Sequence, residues 1–424
     1  MQLAGLILIC AVCPVITVLA DSLETMLLTC AASLLAAAKL RVNARSIKPS
    51  LNTRRQQSRV HEFRRQVHAQ HVTDILSFFC IATGMAFLAS LAGSSSLETI
   101  RATLLESYQP ERLDLLVGDG SILGIAAIVL IFAGSAAACG LFPMHGVVQN
   151  AFESSPAGIA GSTAFLQRLQ AAVILWKIAV TSMPGFESTT QLMCVVFGTC
   201  SCLAGSILVC RSESLRNVAG NLWITWGGIV LVAAAAGMSV ESPTKFPTTW
   251  QLPTGLETAA FSLVISIVAI GLLLVSERWL SDSGRSIDFA EDVTGLGHQR
   301  GLVALAIACS LLTLSAIPPL PGFWCAAFVA GNVFLPGVES AQGAALVPNN
   351  SVLCSAIILL ISLLIVSARS VHFLSLMFHH EPIRRFNIGV GKLPVAISLM
   401  ATGTLLWVGL NVGTVLTWFH RLPL

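Results

Sequence analysis

Charge is scarce in this sequence. Only 11% of its 424 residues are charged and 55% are hydrophobic, against about 25% charged residues in a soluble globular domain. That shortage excludes a water-soluble domain and leaves a polytopic membrane protein. The chain also lacks a Gly-rich phosphate loop, an iron–sulfur ligand set and a flavin site, so no redox centre is expected in it. Cys10 and Cys13 have CxxC spacing, but no second pair or nearby histidine completes a metal site. The twelve cysteines fall almost entirely inside apolar segments, where a thiol serves as a small hydrophobe. The partner implied by composition is the lipid bilayer, and no nucleic acid is expected.

What is present is a series of apolar runs of membrane-spanning length, at about 3–20, 22–40, 74–93, 121–142, 160–182, 191–210, 221–239, 255–276, 302–336, 351–378 and 392–418. They predict an all-α, polytopic membrane helix bundle of about eleven transmembrane helices, forming one domain over residues 1–424. The run from Leu302 to Phe334 holds thirty-three residues without a charge, interrupted by Pro318, Pro319, Pro321 and Gly322. Unbroken, it would be a helix roughly 50 Å long, against a hydrocarbon core of roughly 30 Å. Three prolines remove backbone donors and clash with the preceding turn, so the helix must stop and restart. Lipid cannot satisfy the freed groups, and such breaks survive where protein or a wet cavity surrounds them, as in transport machinery. Pro143 predicts a second break.

Loop charge predicts the topology. Residues 41–73 read as a basic loop: eight Lys or Arg residues lie between Arg41 and His71, against the single acid Glu62. The positive-inside rule makes that loop cytoplasmic. Counting outward, 94–120 falls outside and Arg211 and Arg216 fall inside. Arg384 and Arg385 fall inside if 302–336 crosses once and outside if it crosses twice, so one crossing is favoured. The loop 277–300 fits least well, since five acids outnumber its three arginines.

Three motifs occur in a telling order. They are Gly140-Leu-Phe-Pro-Met-His145 followed by Gln149-Asn-Ala-Phe-Glu-Ser-Ser-Pro156, then Ser214-Leu-Arg-Asn-Val-Ala-Gly220, then Asp292-Val-Thr-Gly-Leu-Gly297 with Leu314-Ser-Ala-Ile-Pro-Pro-Leu-Pro-Gly-Phe323. Together they resemble the antiporter-like membrane subunits of respiratory complex I, in wording closest to subunit N of NADH–quinone oxidoreductase. The resemblance covers about residues 1–420, and the eleven runs match the family's fourteen helices with the first three missing.

On that register Leu23-Glu24-Thr-Met-Leu-Leu28 stands where the family carries a buried acid. Glu24 is either that functional acid or a surface residue at a helix join. The family's lysine before the Pro-x-His motif falls at Ala138, and the lysine after the late break falls at Ala326, so both are replaced. A third family lysine belongs to the run 160–182, which holds Arg168 and Lys177, read as the chain's only two strongly mid-membrane cations. Counting from Pro156 gives Arg168. Arginine holds a fixed charge, whereas desolvation lets a lysine release its proton, so Lys177 is the better proton carrier unless it snorkels to the headgroups. Nine residues apart on a helix, the two point to opposite faces. His145, after Pro143, is a proton relay or a hydrogen-bonded helix end. His379 and His380 are expected in a solvated loop.

The resemblance implies a membrane-arm subunit of NADH–quinone oxidoreductase in the bacterial cytoplasmic (inner) membrane, part of a hetero-oligomer with other complex I membrane subunits. Electron transfer in partner subunits would be coupled to proton translocation through a half-channel bundle. The chain would belong to an enzyme without holding a catalytic residue, and NADH, FMN, iron–sulfur clusters and quinone would reside on partners. The alanines at 138 and 326 imply weakened or lost pumping. A subunit of a multi-subunit cation/proton antiporter and a non-transporting assembly scaffold remain as alternatives.

Overall fold

The computed structural model describes residues 2–46, 54–107, 119–147, 152, 165–180, 186–238, 253–281, 290–334, 350–381 and 392–419. Among them the architecture is all-α. In chain order the helices are α1 (Gln2–Leu19), α2 (Leu23–Ser46), α3 (Arg54–Ala92), α4 (Leu97–Ser107), α5 (Asp119–Cys139) and α6 (Gln167–Ile174), which continues as a π-helix over Leu175–Val180. They are followed by α7 (Glu187–Arg211), α8 (Leu215–Met238), α9 (Gly255–Ser281), α10 (Leu296–Gln299), α11 (Gly301–Leu314), α12 (Pro321–Phe334), α13 (Asn350–His379), α14 (Lys392–Leu410) and α15 (Val412–Phe419). Each of the eleven apolar runs contains a helix. Seven described helices, namely α2, α3, α5, α7, α8, α9 and α13, are long and apolar enough to cross a membrane. Shorter apolar stretches occupy α1, α11 and α14.

The chain divides into two compact units, Met1–Met193 and Cys194–Leu424. In the first, α3 and α5 approach closely because glycines face the partner helix. A Cβ on Gly84 would press on Ile131 and the Ala127 carbonyl, and one on Gly134 would press on Cys80 and the Ser77 carbonyl. With no hydrophobic drive between helices in lipid, such small residues let backbones meet and gain dispersion contact. Met26, Ile81, Met85, Leu88, Ile128 and Ile174 fill the core they enclose. The starts of α2 and α4 are tied by Leu23 N–H to the Ser95 carbonyl (2.9 Å) and Leu97 N–H to the Asp21 carbonyl (3.0 Å). In the second unit α8 is almost wholly buried. Its Gly228 faces Gly198 of α7, and its Gly237 meets Gly255 of α9.

The charge count makes 41–73 a loop, and here the structure differs. Residues 41–46 belong to α2 and 54–73 to α3, and Arg41 is 2% exposed. Polar residues extend both helices past their apolar runs, because helix continuation needs only backbone bonds and a satisfied charge.

Both predicted breaks share one construction. At the end of α5, Gly140 (φ 74°) takes the left-handed region, its N–H bonds the Ala137 carbonyl (3.0 Å), and Leu141 N–H bonds the Ala136 carbonyl (2.9 Å). This is a Schellman cap. At the end of α11, Ala316 (φ 54°) takes the same role, with Ala316 N–H on the Thr313 carbonyl (3.1 Å) and Ile317 N–H on the Leu312 carbonyl (3.2 Å). A cis proline peptide follows each cap, Phe142–Pro143 and Pro318–Pro319. Protein supplies the donors that lipid lacks: Trp226 Nε1 donates to the Leu314 carbonyl (2.9 Å) and Ser367 Oγ to the Ser315 carbonyl (2.8 Å). Gly322 then lets α12 restart, since a Cβ there would collide with the Thr313 carbonyl.

Candidate functional site

The main polar site lies in the first unit, where α2, α3 and α6 each bring a side chain to one point. Arg41 Nη2 donates to Asp74 Oδ2 (2.7 Å) and to Gln167 Oε1 (2.5 Å), and Arg41 Nη1 lies 3.3 Å from His71 Nδ1. The Arg41 and Asp74 side chains are 3% and 2% exposed. An ion pair so far from water needs further hydrogen bonds on its remaining donors; Gln167 and His71 supply contacts to Nη2 and Nη1, while Arg41 Nε has no partner among the described residues.

Arg168, one residue on, is 1% exposed. Its Nη1 donates to the Ala138 carbonyl (2.6 Å), while Nε and Nη2 have no partner among the described residues. The charges of Asp74 and Arg41 both act on it. A cavity of about 20 Å³ opens beside these groups, lined among others by Ser33, Asp74, Ser77, Ala138, Gln167 and Gln170. That is room for one water molecule. Ser33 Oγ is buried there without a partner among the described residues. Polar contacts continue from Gln170 Nε2 to Thr17 Oγ1 (3.1 Å) and from Thr17 Oγ1 to Thr29 Oγ1 (2.9 Å).

The other residues singled out from sequence hold separate places. Lys177, on the π-helical turn, donates to the Val18 carbonyl (2.7 Å) and the Ala20 carbonyl and lies 3.8 Å from the exposed carboxylate of Asp21. Glu24 is exposed in the first turn of α2. His145 is half-buried, with its ring stacked on Phe142 at 5.7 Å. Ala326 is buried on α12. His379 and His380 are exposed at the end of α13. Pro156, Arg384 and Arg385 lie outside the described residues.

In the second unit Arg216 Nη2 donates to Glu277 Oε1 (2.5 Å), with side chains 10% and 2% exposed. These two stand among residues the sequence assigns to loops. Arg369 corrects a second expectation. It is a further cation well inside an apolar run, donating from Nη2 to the Ser212 carbonyl (2.6 Å) and lying 4.9 Å above the Phe373 ring. Its place inside the run 351–378 is the sequence signal that marks it. For Arg41 and Asp74 the signal is position. They stand at facing ends of consecutive runs, which an antiparallel helix pair brings side by side. No local signal marks Arg216 with Glu277, sixty-one residues apart.

Buried ionisable groups, a water-sized cavity and proline-broken helices make an arrangement able to hold charge and to hand protons along a polar line. Among solved structures the same fold occurs in a chain of "Respiratory complex I from Thermus thermophilus with bound Aureothin" (TM-score 0.68, 18% identity, 98% of this chain and 79% of that one). It also occurs in a chain of the "Mrp complex from Dietzia sp. DQ12-45-1b" (TM-score 0.73, 14% identity, 97% and 75%). Sequence relatives narrow the choice. NADH-quinone oxidoreductase subunit N of Azorhizobium caulinodans is 26% identical over 200 residues (47% of this chain, 39% of the relative). Subunit N of Leptospira interrogans is 24% identical over 249 residues (58% and 43%). The chain is similar to subunit N. It spans about half the length, or less, of the curated relatives it matches. No protein-family model matches it.

Proposed function

We propose that this chain is a membrane-arm subunit of an NADH–quinone oxidoreductase in a bacterial inner membrane, working as one antiporter-like domain. The observation that carries the reading is the similarity to subunit N, joined to buried ionisable groups beside a broken helix. Other membrane subunits would be its partners. NADH, FMN, iron–sulfur clusters and quinone would be held by partner subunits, so the chain serves an enzyme without holding its redox site. Coupling would consist of charge movement among buried groups in response to electron transfer elsewhere.

With alanine at 138 and 326, the lysine relay that the resemblance implies is interrupted in this chain. Pumping along that relay is therefore weak or lost. The test is purification of the complex from native membranes through a tag on this chain, followed by reconstitution and measurement of protons moved per NADH. Co-purification with complex I subunits is expected, with the ratio unchanged in Lys177→Ala and Glu24→Gln. A clear fall in either variant overturns the weak-relay reading, and purification without those subunits overturns the assignment. The second reading, a subunit of a multi-subunit cation/proton antiporter, draws on the fold shared with the Dietzia chain. Co-purification with antiporter subunits would favour it.

A further inference from the structure

The Arg41–Asp74 pair has no counterpart among the family positions matched above, yet it adjoins the cavity that Ala138 also lines. Two explanations compete. A purely structural pair would be sealed on all sides, whereas a proton-carrying carboxylate must meet water and must have a place for its counter-ion when neutral.

Space for a water and alternative partners for Arg41 both adjoin Asp74. The residue lines the cavity, in which Ser33 Oγ lacks a partner among the described residues and Gln170 links onward to Thr17 and Thr29. Arg41 has two further contacts, Gln167 Oε1 and His71 Nδ1, which can hold the guanidinium when the carboxylate loses its charge. Among the described residues, Arg41 and the Cys30 thiol from α2 and Arg168 from α6 act on Asp74, and His71 of α3 lies against Arg41. From α5 the cavity receives Ala138 rather than a charged side chain. Of these, the arginines are permanent cations and cannot carry a proton away.

We propose that Asp74 is the proton-carrying group of the first unit, loaded from water in the adjoining cavity, an inference that rests on the proton-translocating reading above. A hydronium ion gives its proton to Asp74, so one O–H bond breaks on water, one forms on the carboxylate, and neutral water remains. Arg41 then stays with Gln167 and His71, and Arg168 supplies a fixed positive charge that favours return of the proton. The lysine absent at position 138 is thereby replaced by a carboxylate between two arginines.

Infrared difference spectroscopy of the full chain in lipid vesicles, comparing acidic with neutral medium, tests the assignment. A carbonyl band of a neutral carboxyl group is expected on acidification, shifting in D2O, kept in the exposed-site control Glu98→Gln and moved in Asp74→Glu. The band is expected to vanish in Asp74→Asn. Because that variant removes the counter-ion of Arg41, Arg41→Gln/Asp74→Asn takes away both charges and should fold while lacking the band. Persistence of the band in either Asp74→Asn variant, or its absence from the wild-type chain, overturns the proposal. Neither result touches the co-purification that tests the subunit assignment, so the two failures are distinguishable.

Discussion

Arg168 Nη1 lies 2.6 Å from the carbonyl oxygen of Ala138, so a permanent cation on α6 touches the α5 position where the resemblance places a lysine. A lysine at 138 would set two cations together in a buried place beside the cavity that Ala138 lines. Ala138→Lys is expected to destabilise the chain by about 3–5 kcal/mol, the cost of an uncompensated buried charge. Ala138→Lys/Arg168→Gln should regain most of it, as read by thermal unfolding in detergent.

The Arg41–Asp74 pair predicts strong coupling. Arg41→Gln alone should cost about 3–5 kcal/mol, because it strands the buried carboxylate, and Asp74→Asn alone should cost less, because Gln167 and His71 still hold the guanidinium. The double variant should cost clearly less than the sum of the two. A double-mutant cycle measures the difference, and additive losses would show the pair to be energetically unconnected.

Ala316 occupies the left-handed region with a Cβ attached. Holding a non-glycine residue there costs about 1–3 kcal/mol, and glycine loses part of the gain through its freer unfolded state. Ala316→Gly should therefore stabilise the chain by about 1 kcal/mol. Gly140→Ala, at the matching cap of α5, should lower stability by a similar amount. Parallel melting curves of the two variants check the opposite signs.

Gly322→Ala is expected to destabilise by about 1–3 kcal/mol through overpacking, because the new Cβ would meet the Thr313 carbonyl, which is rigid backbone. Gly301→Ala, with open space around the position, is the control. Equal melting temperatures for the two would refute the close-approach argument.

Much of the fold was legible in the chain itself. Each apolar run became a helix because lipid leaves the backbone no partner except its own. Pro143 and Pro318, Pro319 and Pro321 placed both breaks because a missing donor acts at a fixed position whatever surrounds it. The candidate site was less legible. Glu24, Lys177 and His145 attract notice as ionisable residues in apolar company, yet each lies apart from the buried pair. Arg41 looks like loop charge in the sequence because a positive residue after an apolar run ordinarily marks the membrane surface. Arg369 is displayed by its own run.

The division follows from the range of the forces concerned. The membrane class, the helices and their breaks come from hydropathy and backbone chemistry, which act along the chain and can be read from neighbouring residues. Whether Arg41 meets water or Asp74, whether Arg216 is solvated or held by Glu277, and whether a water-sized space lies beside Ala138 depend on side chains far apart in sequence. Only packing in three dimensions sets those distances, and the worth of a buried charge depends on its partner being within a few ångströms.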